Sequence, residues 1–158
     1  MPTNQPTVVF SMGLPAAGKS WWIENNLAGT HTVIDPDAIK ETHPNFDPTN
    51  TQALHAWSQD VVEEIWSQAL DMAEGNWVVD GTGTNAEKMV RRFNEAKEAG
   101  FRVELVFVKC TLATSLARNA ARARNVPENV IRQKALDIHT SFALVAPHAD
   151  RVVEIDND

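Results

Sequence analysis

Eight residues near the N-terminus, Gly13-Leu14-Pro15-Ala16-Ala17-Gly18-Lys19-Ser20, have the types and spacing of a phosphate-binding loop, G-x-x-x-x-G-K-[ST]. Glycines let the backbone turn tightly, so that the successive N–H groups of Gly13, Ala16, Ala17 and Gly18 converge on phosphate oxygens. The Lys19 ammonium then reaches the β- and γ-phosphates, and the Ser20 hydroxyl suits Mg²⁺. A helix opening near Lys19 adds its positive end to the same anion. The pattern predicts binding of a nucleoside triphosphate, ATP or GTP. By itself it does not separate an ATPase, a GTPase and a kinase. Trp21 stands where threonine is usual. Of Trp21 and Trp22, one is expected against the sheet and the other near the nucleotide.

Three acids follow. Asp35 and Asp37 end an apolar run two residues apart, a spacing that points both carboxylates to one side if the extended backbone continues. Either could take a proton from an attacking hydroxyl. Either could instead serve locally, Asp37 as the cap of a short helix over 38–42 and Asp35 in a turn with Pro36. Asp80 closes Trp77-Val78-Val79 and reads as an acid holding Mg²⁺ through a water, or as a turn opener. Gly81-Thr82-Gly83-Thr84 behind it offers the hydroxyls of Thr82 and Thr84 to a ligand. Arg118, Arg122 and Arg124 then recur at i, i+4 and i+6. Arg118 and Arg122 share a helix face, either a lid that would neutralise a phosphoryl transition state or a solvated basic face near a helix end.

The elements that must position these residues alternate strand with helix, the pattern of a parallel α/β sheet. Strands are expected at Val8–Met12, Thr32–Ile34, Trp77–Val79, Val103–Lys109 and Arg151–Ile155. Helices are expected over 19–27, ended by Gly29, and over 51–74, with Leu54, Trp57, Val61, Ile65, Ala69 and Met72 as the apolar stripe. Further helices are expected over 85–99 with Asn85 as N-cap, over 112–122, and over 128–144 with Pro127 in its first turn. The predicted architecture is a three-layer α/β/α P-loop NTPase of the nucleoside-kinase kind. Its five-stranded parallel sheet has order 2-3-1-4-5 and forms a single domain over residues 1–158.

Composition narrows the partners. The 158 residues carry a net charge of −7, which disfavours long nucleic acids as partners, because these are bound mainly through Lys and Arg on phosphates. A nucleic-acid end as acceptor remains open. Cys110 is the sole cysteine, so no internal disulfide forms and a reducing cytoplasm is the expected compartment. The polar, proline-bearing start is no signal peptide, and no apolar stretch approaches the roughly 20 residues that span a bilayer. The five histidines show no metal-ligand spacing.

At these residues the chain resembles the zeta-toxin family of P-loop kinases and, more loosely, the kinase domain of phage polynucleotide kinases. The likeness covers the phosphate loop, Val33-Ile34-Asp35-Pro36-Asp37 running on to His43-Pro44-Asn45-Phe46-Asp47, then Val78-Val79-Asp80-Gly81-Thr82-Gly83, and the segment 118–127. It implies Asp37 as the catalytic base, Lys19 and Ser20 on the phosphates and the metal, and Asp80 on substrate or metal, where zeta toxins usually have Glu. It also implies Thr82 as a substrate contact and Arg122 as the charge-stabilising lid residue, with Arg118 and Arg124 in support. The strand end Ile155-Asp156-Asn157 would lie beside the nucleotide base. Two positions depart from the pattern. Thr84 stands where zeta toxins acting on UDP-N-acetylglucosamine carry a basic substrate contact. Lys40 stands where the polynucleotide kinases place an Arg for the substrate phosphate. The implied reaction is transfer of a γ-phosphoryl group to a hydroxyl of a sugar nucleotide, a nucleotide or a nucleic acid, with a hydroxymethylated base or a 5′-hydroxyl end among the alternatives. A nucleotide-binding regulator or an NTPase without acceptor is the reading from another class.

Overall fold

Five strands form the sheet of the computed structural model, which describes residues 5–50, 52–123 and 126–158. They are β1 (Thr7–Met12), β2 (Thr32–Ile34), β3 (Trp77–Val79), β4 (Arg102–Lys109) and β5 (Arg151–Asp156). All pair in parallel in the order β2-β3-β1-β4-β5, as expected. The interleaved helices are α1 (Lys19–Asn26), α2 (Pro36–Glu41), α3 (His55–Met72), α4 (Ala86–Glu98), α5 (Leu112–Ala120) and α6 (Glu128–Val145).

Strand alternation sorts the core into two layers. Val8, Phe10 and Met12 of β1, with Trp77, Val79, Val103, Leu105 and Phe107, face α3, α4 and α6 through Trp66, Phe93 and Ile138. The Phe10 ring meets Phe93 at 4.6 Å between centroids and Trp66 at 5.7 Å, within the range where aromatic pairs add to burial. On the opposite face Val9, Val78, Val106 and Val108 pack against Ile23 of α1, with Trp22 and Leu27 at the margin. Helices thus cover both faces of the sheet. Because all strands run the same way, the loops after β1, β2 and β3 open at one edge, where ligands of open α/β sheets bind.

Several local expectations are corrected. The helix after β2 starts at Pro36, and Asp35 is its N-cap, accepting from the Asp37 N–H at 2.9 Å. Proline suits this first helical position because it has no N–H to leave unpaired. α1 ends through Leu27, whose N–H donates to the Ile23 carbonyl, and not at Gly29. α3 begins at His55, and its buried stripe is Ser58, Val62, Trp66 and Ala69. Ala69 belongs to the expected stripe, while Ser58, Val62 and Trp66 each lie one position beyond Trp57, Val61 and Ile65, because Trp66 fills the space over Phe10 while Trp57 and Met72 stay exposed. α5 stops at Ala120, so Arg122 follows it in a turn. Asn85 caps α4 as expected, accepting from the Lys88 N–H at 3.1 Å.

Candidate functional site

The turn between β1 and α1 is forced by its residues. Gly18 has φ +104, a region that side chains disfavour, and a Cβ there would lie 2.2 Å from the Asn157 Nδ2. Ala16 holds φ +62 beside it. The loop is braced from three sides. The Ser115 hydroxyl donates to the Pro15 carbonyl at 2.5 Å. The Arg118 guanidinium donates to the Ala16 and Ala17 carbonyls, each at 3.4 Å. The Asn157 amide, at the end of β5, donates to Ala17 at 2.7 Å. Gly13 donates its N–H to the Thr82 carbonyl at 3.1 Å, which ties the loop to the turn after β3.

A cavity of about 520 Å³ opens over this loop. Its wall brings together Ala16, Gly18, Lys19, Ser20, Trp21, Asp35, Asp37, Lys40, Asp80, Thr82, Arg118 and Arg122. Gly13, Ala17 and Thr84 do not line it. Arg124 lies outside the described residues. Trp21 is 64 % exposed at the mouth, while Trp22 packs on the sheet. Arg122 is exposed on the loop after α5, whose base is pinned by Asn119: its amide donates to the Val126 carbonyl and accepts from the Val126 N–H, both at 2.8 Å.

Charge is concentrated inside. Asp80 is buried and accepts from the Ser11 hydroxyl at 2.5 Å. Ser11 also accepts the Gly81 N–H, so the carboxylate and the turn behind it are held as one unit. Asp37 is half-exposed to the cavity, with its Oδ1 3.8 Å from the Lys40 ammonium. Lys40 is itself buried, only 3 % exposed. Lys19 donates to the Gly13 and Leu14 carbonyls, each at 3.1 Å. Burial pulls the Lys19 ammonium below its ordinary value, while Asp80 and then Asp37 oppose that pull. Asp35 is pushed up to about 6, first by burial and then by the charges of Asp80 and Asp37.

The Asp35 shift has a testable sign. A carboxyl whose folded value lies above the unfolded 3.8 binds more protons folded than unfolded between the two values. Stability therefore falls as pH rises from about 4 to 6. Asp35→Asn keeps the capping oxygen and removes the charge. In urea unfolding without nucleotide the variant should match the parent near pH 4 and exceed it at pH 7 by about 1–3 kcal/mol. A difference independent of pH would overturn this account.

Four cavity residues were not singled out in the sequence: Gln52, His55, Gln59 and Lys134. Lys134 sits on α6 and donates to the Thr82 hydroxyl at 3.0 Å. A signal for it existed: Lys134 interrupts the inward stripe of α6, whose buried members are Ile131, Ile138, Ser141 and Val145.

Residues 8–144 match the AAA domain family. "Toxin zeta" of Enterococcus hirae is 25% identical over 115 residues, covering 65% of this chain and 39% of that protein. The chain thus spans about two fifths of the length of the curated relative it matches. Among solved structures, one from the PezAT chromosomal toxin-antitoxin system of Streptococcus pneumoniae superposes with TM-score 0.74 at 15% identity, covering 100% of this chain and 71% of that one. The AvrRxo1-ORF1:-ORF2 complex with ATP superposes with TM-score 0.72 at 18% identity, over 90% of this chain and 50% of that one. These likenesses extend the fold across the whole sheet. No helix among the described residues is long and apolar enough to cross a membrane.

Proposed function

The chain belongs to the AAA domain family, and from that premise we propose that it is a phosphotransferase that moves the γ-phosphoryl group of ATP or GTP to a hydroxyl. The observation that carries the reading is one cavity shared by the phosphate loop and the Asp37 carboxylate. A nucleotide hydrolase would use the same loop with a group that positions water. A carboxylate facing the same space supports the transfer reading, because it can take the proton of an acceptor hydroxyl.

In this reading the loop N–H groups and the α1 N-terminus bind the donor phosphates. Asp37 accepts the hydroxyl proton as the oxygen attacks phosphorus. Lys19 and Arg122 meet the charge that spreads over the transferred group. Arg118, already on the loop carbonyls, holds the loop in shape. Ser20 and Asp80 are hard oxygen donors on the same cavity, and they fit Mg²⁺, which takes one or two protein ligands and completes its shell with water and phosphate. The bound ion would supply charge neutralisation and orientation. The acceptor is a sugar nucleotide, a nucleotide or a nucleic-acid hydroxyl.

The test uses γ-labelled ATP with Mg²⁺ across a panel of hydroxyl acceptors. Label in a product other than free phosphate is the expected result. Release of free phosphate alone, whatever acceptor is present, would replace the reading by that of an acceptor-free NTPase.

A further inference from the structure

We propose that Asn157 and Ser115 are positioning residues of the phosphate loop, each turning one backbone N–H toward the bound triphosphate. The inference rests on the phosphotransferase reading only for a triphosphate in the loop, and not for any acceptor.

Two of the four loop N–H groups expected on phosphate have partners inside the protein. Gly13 donates to the Thr82 carbonyl at 3.1 Å, and Ala17 to the Leu14 carbonyl at 3.0 Å. Ala16 and Gly18 line the cavity, and Ala17 does not. The direction of their N–H groups is decided by the carbonyl on the other side of each peptide bond. A trans peptide is planar, so its C=O and N–H point opposite ways, and there is no cis peptide among the described residues. The carbonyl opposite the Ala16 N–H is that of Pro15, which accepts from the Ser115 hydroxyl at 2.5 Å. The carbonyl opposite the Gly18 N–H is that of Ala17, which accepts from the Asn157 amide at 2.7 Å. Neither Ser115 nor Asn157 lines the cavity. Both carbonyls are therefore drawn into the protein, and the N–H groups opposite them are turned to the cavity. With φ of +62 at Ala16 and +104 at Gly18, this is a concavity of backbone N–H groups that suits an anion.

Distance decides which donor governs the Ala17 carbonyl. Arg118 reaches it only at 3.4 Å and shares itself with the Ala16 carbonyl, beyond the usual range of about 2.7–3.2 Å. The Asn157 bond is the short one, and its origin is fixed. The Asn157 backbone N–H donates to the Lys109 carbonyl at 2.8 Å, and the neighbouring Asp158 accepts the Thr111 N–H at 2.8 Å. Gly18 has no Cβ to hold the Asn157 amide away. Ser115 is fully buried on α5, so its hydroxyl is equally held. The Asn157 amide nitrogen thus serves the loop, a task separate from the place beside the nucleotide base that the resemblance implies.

The experiment titrates inorganic tripolyphosphate with Mg²⁺ into the isotope-labelled chain and follows the loop amides by NMR. In the unaltered chain the Ala16 and Gly18 amide protons should move downfield as charge-assisted bonds form, and that of Ala17 should move least of the three. Asn157→Leu keeps the side-chain size without a donor, and it should lose the Gly18 response while keeping that of Ala16. Ser115→Ala should do the reverse. Each should weaken tripolyphosphate binding about tenfold or more. A merely structural role would not produce this crossed pattern. Unchanged responses in both variants would overturn the proposal, and so would an equal loss of both responses in each. Should the variants fail to fold, the unaltered chain still decides: a Gly18 amide that does not respond to tripolyphosphate would also overturn it. These readouts involve no turnover. If the crossed pattern holds while no acceptor is ever labelled, the phosphotransferase reading fails alone. If label reaches an acceptor while Asn157→Leu and Ser115→Ala both bind tripolyphosphate as the parent does, the positioning assignment fails alone.

Discussion

Asp37→Asn should reduce phosphoryl transfer about a thousandfold while nucleotide affinity stays within about twofold, a loss inside the range attributed to a positioned general base. Asn has nearly the same shape as Asp and can occupy the second position of α2 without disturbing the cap, since the capping oxygen belongs to Asp35. What the substitution removes is a charge and a proton acceptor facing the cavity. The donor side should be little affected, because the phosphate loop is braced by bonds from Ser115, Arg118 and Asn157. Single-turnover transfer from γ-labelled ATP gives the rate, and titration with a fluorescent nucleotide gives the affinity. Asp35→Asn in parallel separates the two acids: as a cap with a raised proton affinity it should lose far less transfer. Near-normal turnover in Asp37→Asn would remove Asp37 from the mechanism. A large loss of nucleotide affinity would make it a donor-site residue.

The pairing of Asp35 and Asp37 also marks how far the sequence could be read. Both stood at a strand end, and local pattern left cap and base open for each, because an Asp before a Pro can start a turn or a helix equally well. The geometry assigns the cap to Asp35 through its bond to the Asp37 N–H. The sheet was legible because each strand carries β-branched or other apolar residues with Gly, Pro or Asp at or near one end, and the phosphate loop because its residues are dictated by contact with phosphate. The stripe of α3 was not: its helical period is genuine, yet which face is buried depends on Trp66 meeting Phe10 across 56 residues of sequence, and Ser58 is buried where local hydrophobicity favoured Trp57. Lys134 was missed for the same reason. It lies 52 residues from Thr82, and only the docking of α6 on the β3–α4 turn makes it part of the cavity. The phosphate loop is built from neighbours in sequence, and the part of the cavity wall that Lys134 adds comes from a distant helix, which is why the first was readable and the second was not.

Lys19→Met should abolish function without abolishing the fold, and the contrast between the two measurements is the informative part. The Lys19 ammonium donates to the Gly13 and Leu14 carbonyls, and burial lowers its proton affinity despite Asp80 and Asp37. A lysine with a folded value below 10.5 binds fewer protons folded than unfolded between the two values, so at neutral pH its charge opposes folding. Methionine keeps most of the length and removes that cost, so the variant should melt at or above the parent temperature at pH 7. Nucleotide binding should weaken about ten- to a hundredfold, from the loss of charge-assisted bonds to the phosphates. Transfer should fall further, about a thousandfold in total, because charge on the moving phosphoryl group grows in the transition state and Lys19 is the ammonium closest to it by construction of the loop. Differential scanning calorimetry and the labelled-ATP assay on the same preparation decide the matter. A melting temperature several degrees below the parent would mean that Lys19 serves the loop as a structural strut. A stable variant that has lost transfer would mean that the fold holds this charge at a cost to stability, for the sake of the phosphate it binds.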